Sequence, residues 1–422
     1  MRLASMPVKI LMKELMLFIV AVALQVVGVG QVAALTLKPG SILVADQYLP
    51  AIIQIDPITG NQTIISSGWL LSTPRGIAID LNGDILVAVR FGLVNGILRV
   101  NPATGDQTVV SSDGNFVAPA DLVLDANGDI LVIDFVGKII KVDPATGAQT
   151  VISSGGSLIA PAGIAIDTNG DILISDFDIF GVGPGSVIRV NPVTGMQTIV
   201  SSDWSFLNPV GIAIDASGDI LVANQGSFPY GEDNIIRVNP LTGAQTIAFS
   251  NSSIMPVAIA PDANGDILAA DFLGSVARID PLTGAHTVVS SDGWLISPAG
   301  IAIMPEPSVS TVAIDIKPGN FPNSINLQNR SVVCVAILST ATFDATTVEP
   351  TTVLFGPTGT EVSPVQYDLK DIDRDGNTDM ILHFKAAESG LQCGDTVASI
   401  TGSISIHEMI EGSDSVNIVR CK

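Results

Sequence analysis

The most specific chemical pattern in the chain is an acidic segment in its last quarter. Oxygen-bearing side chains stand at odd positions and a glycine stands at the sixth, in the set Asp371, Asp373, Asp375, Gly376, Asn377 and Asp379. Such spacing supplies the oxygen shell of Ca²⁺, and the glycine permits the sharp turn. Leu382 replaces the bidentate Glu of an EF-hand, so the segment predicts a calcium site of modest affinity. A solvated acidic turn is the alternative.

A second group of candidates interrupts an internal repeat. Arg75 and Asp121 stand where other copies carry small residues, and Arg90 replaces a polar or aromatic one. Only copy-specific residues can define one site on a repeated scaffold, so these charges predict an anchor for an anionic ligand. Ordinary ion pairing at the surface is the alternative. The predicted ligand-binding set is Arg75, Arg90, Phe91, Asp121, Phe228 and Tyr230.

Groups that activate water or a nucleophile are scarce in the repeats. Residues 35–304 contain one histidine, His286, and one glutamate, Glu232. His286 stands where most copies have Gln, which suggests a surface substitution. A binding protein needs no base, so we expect a non-enzymatic binding or adhesion protein whose ligand is an extracellular protein or carbohydrate. A structural envelope protein is a further alternative.

The composition sets other limits. The 422 residues are 47% hydrophobic, only 5% aromatic and carry a net charge of −22. An aliphatic chain of this size can form large cores. Its negative charge would repel nucleic acid and anionic lipid, so we expect neither as a partner, and we expect a monomer.

Internal repetition indicates the scaffold. Six copies of a GIAID-like element are followed in most cases by GDILVAD, a loop, IIRVNPATG and QTVVSS. Successive copies lie 42 to 48 residues apart, which matches four strands per repeat. The chain begins its repeats with ILVAD at residue 42 and ends them with an isolated GIAIM at 300–304, so the two ends should complete one sheet. The prediction is an all-β, six-bladed propeller over residues 35–304.

Two turn motifs recur in this unit. Asn-Gly, as at Asn82-Gly83, joins the first two strands and favours a type I′ turn. Asp/Asn-Pro-x-Thr-Gly, as at residues 56–60, joins the third and fourth. The acidic residues of both motifs recur where the backbone needs them, so we interpret them as turn formers rather than metal ligands.

Over residues 41–304 these motifs resemble the NHL-repeat propellers and, more loosely, the gluconolactonase and streptogramin-lyase propellers. The resemblance implies the fold. The related enzymes would imply an acidic metal cluster, or a histidine base beside magnesium, and this sequence places neither. A lactonase-like hydrolase or a lyase with a metal at the channel mouth, through Asp134 or Asp176, remains the alternative function.

Two sets of residues recur at the loop-bearing face. An aromatic lies near each second-to-third loop, and we expect each to cap its own blade, a ligand platform being the alternative. These are Tyr48, Phe91, Phe135, Phe177, Phe228 and Phe272. The second strand usually ends in Asp, which we expect to cap loops rather than bind metal. These are Asp46, Asp134, Asp176 and Asp271, with Asn224 and Val89 in the other copies.

The ends of the chain lie outside the repeats. Residues 1–34 have basic residues before an apolar run and small residues before position 35, which predicts a cleaved signal peptide and a secreted, cell-surface or periplasmic protein. An uncleaved anchor is the alternative. After cleavage we expect no membrane span.

A Pro-rich segment, 305–312, predicts a linker, and residues 313–422 predict a small β-sandwich-like domain. Its segments IDIKPGNFPNSINL and LQCGDT resemble a C-terminal module of bacterial secreted proteins. Its acidic loop resembles the DxDxDG loops of dockerin and integrin-type repeats. We expect a disulfide between Cys393 and Cys421, and a buried free thiol at Cys334.

Overall fold

The computed structural model describes residues 37–177, 184–203, 205–226, 233–327, 331–405 and 408–419. The chain divides into two compact units between Met304 and Pro305. Within the described ranges, no helix has the length and apolar character required to cross a bilayer. The predicted signal peptide, residues 1–34, lies outside the described residues.

The first unit is a six-bladed β-propeller, and each blade is an antiparallel sheet of four strands in the described residues. From the inner to the outer strand, blade 1 contains β24 (Pro298–Ile303), β1 (Ile42–Asp46), β2 (Ala51–Ile55) and β3 (Gln62–Ser67). Blade 2 contains β4 (Pro74–Ile79), β5 (Ile85–Val89), β6 (Gly96–Val100) and β7 (Gln107–Ser112). Blade 3 contains β8 (Pro119–Leu124), β9 (Ile130–Asp134), β10 (Lys138–Val142) and β11 (Gln149–Ser154).

The remaining blades repeat this order. Blade 4 contains β12 (Pro161–Ile166), β13 (Ile172–Asp176), β14 (Ser186–Val190) and β15 (Gln197–Ser202). Blade 5 contains β16 (Asn208–Ile214), β17 (Ile220–Gln225), β18 (Asn234–Val238) and β19 (Gln245–Ser250). Blade 6 contains β20 (Pro256–Pro261), β21 (Ile267–Asp271), β22 (Ser275–Ile279) and β23 (His286–Ser291).

The propeller closes through its first and last strands, as the repeat predicts. β24 pairs with β1 from Ile42↔Ile303 onward, so blade 1 is built from both ends of the unit. Each inner strand contacts the inner strand of the next blade, and β24 contacts β4, which completes the ring. Closure gives blade 1 its inner strand, so all six blades have four strands in the described residues.

Apolar packing between blades explains the continuous ILVAD-like runs. In β1, Leu43 packs into a cluster with Val87 of blade 2, whereas Ile42 packs into a cluster with Leu268 of blade 6. Successive strand residues point to opposite faces, and both faces of each blade are covered. Every position of β1 and β5 is therefore buried.

The first turn motif differs from the predicted type I′ turn. Gly83 has φ +84°, but Asn82 is not among the described residues with positive φ. Gly83 N donates to Asp80 O and Asp80 N donates to Asp84 O, both at 2.9 Å. This is a three-residue loop with one left-handed glycine. The Asp80 carboxylate accepts the N–H groups of Asn82 and Asp84, which favours the longer loop.

A polar side-chain latch joins most neighbouring blades. Gln107 Nε2 donates to Ser66 Oγ at 2.9 Å, and Ser66 Oγ donates to Gly105 O at 2.7 Å. The same Gln–Ser contact recurs at Gln62–Ser290, Gln149–Ser111, Gln197–Ser153 and Gln245–Ser201. Between blades 5 and 6, His286 and buried Phe249 replace the pair, with their ring centroids 5.4 Å apart.

The second unit is a two-sheet β-sandwich in the described residues. One sheet contains β25 (Ser308–Thr311), β33 (Glu408–Ser415), β32 (Val397–Ser405) and β29 (Leu354–Gly356). The other contains β26 (Ile314–Ile316), β28 (Val332–Ile337), β31 (Asp379–Lys385) and β30 (Gln366–Lys370). A parallel pair, β27 (Ser324–Asn326) and β34 (Asn417–Val419), and 3₁₀ turns at Ala345–Thr347, Pro350–Thr352 and Ala386–Glu388 complete it.

Both sheets contribute to one core, in which the ring centroids of Phe355 and Phe384 lie 5.0 Å apart. The predicted linker is partly wrong, because 308–311 form β25 and pair in parallel with β33. Cys334 is a free thiol but only half-buried, so its predicted burial is also wrong. Cys421 lies outside the described residues, and the Cys393–Cys421 disulfide stays a prediction.

Candidate functional site

A cavity of about 520 Å³ lies at the end of the channel where the inner strands begin and the second strands end. The inner strands give it an aliphatic wall, since each of them contributes one Ile or Leu side chain. These are Ile77, Leu122, Ile164, Ile212, Ile259 and Ile301. The volume of this cavity and the residues that line it are typical of a pocket that binds a small ligand through few polar groups.

The inner strands approach one another closely because they carry small residues. A β-carbon on Gly300 would lie 2.1 Å from the Arg75 carbonyl oxygen, and one on Gly76 would lie 2.2 Å from Asp121 Oδ1. Equivalent positions therefore stay small around the ring. Arg75 and Asp121 are the charged exceptions among the inner-strand residues that line the cavity.

Arg75 is held by a neutral partner. Its Nη1 donates to Gln47 Oε1 at 3.0 Å, and Gln47 Nε2 donates to Ser297 Oγ at 2.9 Å. Burial lowers the pKa of Arg75, and the nearby Asp121 carboxylate opposes this shift. The guanidinium is thus oriented and partly desolvated without being neutralised.

Arg90 follows β5 in the same blade. Its guanidinium carbon lies 4.9 Å from the Phe91 ring centroid and 6.0 Å from that of Phe135. Its Nε is buried and, within the described residues, has no hydrogen-bond partner. Burial, with a further contribution from the Arg75 cation, lowers the pKa of Arg90 to about 10.

Asp121 faces the same cavity and is fixed by the backbone. Its Oδ1 accepts from Leu122 N at 2.9 Å and its Oδ2 from Ile164 N at 3.2 Å. Burial raises the pKa of Asp121 to about 7, because these hydrogen bonds and Arg75 compensate only in part. Near neutral pH this carboxyl group exists in both protonation states.

Within the described residues, neither arginine forms the surface ion pair that was the alternative. The ion pairs found among the described residues join other cations, such as Arg99 with Asp80 and Arg189 with Asp167. Arg75 and Arg90 therefore present two cations at the cavity that have no carboxylate at ion-pair distance in the part of the chain that the structure describes.

The aromatic residues do not cap their own blades as expected. Phe91, Phe135, Phe177 and Phe272 line the cavity, and two pairs meet across blades. The centroids of Phe135 and Phe177 lie 5.4 Å apart, and those of Tyr48 and Phe272 lie 6.5 Å apart. Phe228 and Tyr230 lie outside the described residues.

The equivalent position around the ring is the sixth residue counted from the start of the second strand, whereas the aromatic set predicted from the sequence has Tyr48, Phe91 and Phe228 in three of the copies. It is occupied by Gln47, Arg90, Phe135, Phe177, Gln225 and Phe272. All but Gln47 line the cavity, and Gln47 contacts Arg75. The fixed spacing from the ILVAD-like run is the signal that would have identified them.

The acidic residues that end the second strands are buried and bind backbone. Asp46 Oδ2 accepts from Ile296 N and Ser297 N, both at 2.7 Å. Asp134 Oδ2 accepts from Val117 N and Ala118 N at 2.7 and 2.9 Å. These contacts agree with the capping interpretation and direct the carboxylates into the inter-blade loops.

The acidic loop of the second unit brings together part of the predicted calcium set. Single oxygen atoms of Asp371, Asp373 and Asp375 lie within 4.8 Å of one another. Hydrogen bonds from Asn377, first from its backbone N–H, lower the pKa of Asp375. A cluster of ionised oxygens is the donor set that Ca²⁺ prefers.

Asp379 departs from that predicted set. It is fully buried, its Oδ1 accepts from Ser339 N at 2.8 Å, and its Oδ2 accepts from Ile372 N at 2.8 Å. Both carboxylate oxygens are therefore used to fix the loop to the sheet. Asp379 positions the loop and lies outside the cluster formed by the other three carboxylates.

No family model and no curated protein matches the chain. Among solved structures, it is similar to a virginiamycin B lyase from Staphylococcus aureus, at 16% identity over 64% of this chain and 88% of that one, with a TM-score of 0.47. A gluconolactonase from Xanthomonas campestris shares 16% identity over 62% of this chain and 88% of the gluconolactonase chain, with a TM-score of 0.45. The extracellular domain of a B. thetaiotaomicron one-component system shares 14% identity over 92% of this chain and 60% of the sensor chain, with a TM-score of 0.43. The function of this chain must therefore be argued from its own residues.

Proposed function

We propose that this chain is an exported, non-enzymatic binding protein whose propeller captures an anionic group of an extracellular carbohydrate or protein. The observation that carries the proposal is the pair Arg75 and Arg90, which are partly desolvated. Within the described residues neither guanidinium has a carboxylate at ion-pair distance, although Asp121 and Asp134 act on them from farther away. An anion entering the cavity would supply the missing charge at a site of reduced dielectric screening.

The rest of the cavity suits the body of such a ligand. Its aliphatic wall and the Phe135 and Phe177 rings offer an apolar surface beside the two cations. Aromatic faces bind sugar rings and apolar side chains, while guanidinium groups bind carboxylates and sulfates through paired N–H groups. One acidic sugar or one acidic side chain fits the volume of about 520 Å³.

Binding rather than turnover is favoured by how the carboxylates are used. The hydrolase or lyase alternative relied on Asp134 and Asp176, but these groups accept backbone N–H groups of the preceding loops. Asp121 is then the single carboxylate among the described residues that line the cavity. One carboxylate beside two cations is an unfavourable donor set for a divalent metal.

Titration calorimetry with acidic and neutral oligosaccharides of equal length, and with an acidic peptide, tests the proposal. We expect binding of an acidic ligand and at least a tenfold loss in Arg75→Ala and Arg90→Ala. Lys385→Ala, which removes an exposed cation of the second unit, is the matched control. Saturable hydrolysis of a lactone that requires metal and is lost in folded Asp134→Ala would overturn the proposal.

We further propose that the second unit binds Ca²⁺ through Asp371, Asp373 and Asp375, with the Asn377 backbone carbonyl as a further donor. The clustering of three carboxylate groups supports this site. The ion would neutralise charges that otherwise repel one another and so stabilise the loop. Export is proposed because basic residues precede an apolar run within residues 1–34, and the N-terminal sequence of the mature protein tests it.

A further inference from the structure

A cysteine, a histidine and an aspartate form a connected chain of contacts on three neighbouring strands of the second unit. Cys334 Sγ lies 3.2 Å from His383 Nδ1, and His383 Nε2 lies 3.0 Å from Asp368 Oδ2. β28 carries the cysteine, β31 the histidine and β30 the aspartate. Cys334 and His383 are direct cross-strand partners, so their contact follows from the register.

These side chains lie on the outer face of their sheet. Their neighbours Val333 and Leu382 point into the core and are 2% and 0% exposed. Cys334 is half-buried, and the side chains of His383 and Asp368 are 24% and 55% exposed. A dissolved reagent can therefore reach the sulfur.

The hydrogen bonds determine where the protons lie. An ionised Asp368 can only accept, so His383 Nε2 carries the hydrogen and donates it. In a neutral imidazole Nδ1 is then the acceptor, and the Cys334 thiol donates to it. Burial raises the pKa of the Cys334 thiol and Asp368 adds to this, whereas the nearby Lys317 cation opposes it. The raised pKa favours the neutral thiol, whose hydrogen-bond partner is the imidazole of His383.

We propose that Cys334 is a nucleophile for thiol–disulfide exchange with low-molecular-weight disulfides, with His383 as its general base and Asp368 as a positioning residue. The Cys334 S–H proton passes to His383 Nδ1 as the sulfur attacks one sulfur of the disulfide. A new S–S bond forms, and the old one breaks with its electron pair on the second sulfur. That thiolate takes the proton from His383, so a mixed disulfide and a free thiol result, the Cys334 sulfur being oxidised and the leaving sulfur reduced.

The surrounding backbone favours a disulfide over an acyl substrate. Val333, Cys334 and Val335 pair with β31, and on the other edge of β28 Cys334 O accepts from Lys317 N at 2.7 Å, so the backbone at Cys334 lies within the hydrogen-bonded sheet. Acyl transfer requires free donors for the oxyanion. Disulfide exchange develops its charge on sulfur, where His383 supplies a proton and Lys317 a nearby cation.

The test measures glutathionylation of Cys334 in the full-length protein by peptide mass mapping after reaction with glutathione disulfide between pH 6 and pH 9. We expect His383→Gln to slow the reaction on the order of tenfold or more near neutral pH. The difference should narrow at high pH, where the thiolate forms without a base. Asp368→Asn, which keeps an acceptor oxygen, should retain more of the rate than Asp368→Ala.

Val332→Ala is the matched control, because Val332 lies two residues before Cys334 on the same strand and is 52% exposed. This substitution should leave the rate of glutathionylation unchanged. Circular dichroism establishes that each variant is folded. Equal rates in the wild type and folded His383→Gln would overturn the proposal. If that variant fails to fold, the pH profile of the wild type decides. A rate that rises tenfold per pH unit from pH 6, as for an isolated thiol, would also overturn it.

Discussion

Arg75 donates its Nη1 hydrogen bond to the amide oxygen of Gln47, 3.0 Å away, and within the described residues it forms no ion pair with Asp121 on the neighbouring inner strand. The choice of partner matters electrostatically. An amide orients the guanidinium but leaves its charge available, whereas a carboxylate would neutralise it. Gln47 is in turn held by Ser297, so the arginine is placed by a neutral network.

Gln47→Glu should therefore weaken anion binding by at least about tenfold, which corresponds to about 1.4 kcal/mol. The new carboxylate would pair with Arg75 at its present hydrogen-bond position. Gln225→Glu adds the same charge at the equivalent position of blade 5 and is the matched control. Calorimetry with an acidic oligosaccharide compares the two, and equal losses would show that total charge, not this contact, determines affinity.

Anion affinity should fall as the pH rises through about 7, where Asp121 ionises. Below this pH the neutral carboxyl group leaves the charges of Arg75 and Arg90 unopposed, and above it the carboxylate repels the ligand. A sulfated oligosaccharide keeps constant charge between pH 5 and pH 9 and is the suitable probe. Asp121→Asn should bind with nearly constant affinity over this range, and an unchanged pH dependence in that variant would contradict the assignment.

The same shift has a consequence for stability. The pKa of Asp121 is raised from its ordinary value of 3.8 to about 7, so its ionisation costs folding free energy. The cost begins above about pH 4 and is complete above about pH 7. Asp121→Asn should therefore gain stability relative to the wild type as the pH rises from 4 to 8, measured by thermal melting without ligand. A constant difference between the two proteins would contradict this sign.

Calcium should raise the melting temperature of the second unit through the acidic loop. At a hundredfold excess over Kd, linkage gives about 2.7 kcal/mol. Asp373→Ala should abolish the response and change the calcium-free stability little, because Asp373 is exposed. Asp379→Ala should destabilise the protein with or without calcium, because it leaves Ser339 N and Ile372 N without their acceptor. Identical melting in EDTA and in millimolar calcium would contradict the site.

The repeat spacing was sufficient to predict the blades and their closure, because period and apolar runs are local properties. It was insufficient for the ring at the mouth. In blade 2 the aromatic near the second-to-third loop is Phe91, but loop lengths differ and only the distance from the start of the second strand is constant. At that distance Arg90 is the equivalent of Phe135. Counting from the first residue of each ILVAD-like run identifies the equivalent position from the sequence.

Contacts between distant segments could not be predicted. Asp379 stands at a ligand position in the loop pattern, but its carboxylate oxygens accept hydrogen bonds from Ser339 N and Ile372 N. Ser339 is 40 residues away in the sequence. Cys334 and His383 are 49 residues apart and meet only because β28 and β31 pair in one register. A slip of one residue would place the two side chains on opposite faces.

We expect apolar packing to stabilise the junction between blades 5 and 6, whereas the Gln–Ser hydrogen bond stabilises the other described junctions. Gln107 donates to Ser66 Oγ and accepts from Leu70 N at 3.0 Å, so Gln107→Ala removes both bonds and should cost about 1–3 kcal/mol. At the exceptional junction His286 is exposed and contacts the Phe249 ring, so His286→Ala should cost less than about 1 kcal/mol. Phe249 is 3% exposed and packs with Ile235 and Ile254, so Phe249→Ala should cost about 3–5 kcal/mol. Denaturant unfolding of the three variants ranks these costs, and a loss in His286→Ala as large as that in Gln107→Ala would mean that the histidine has taken over the role of the glutamine.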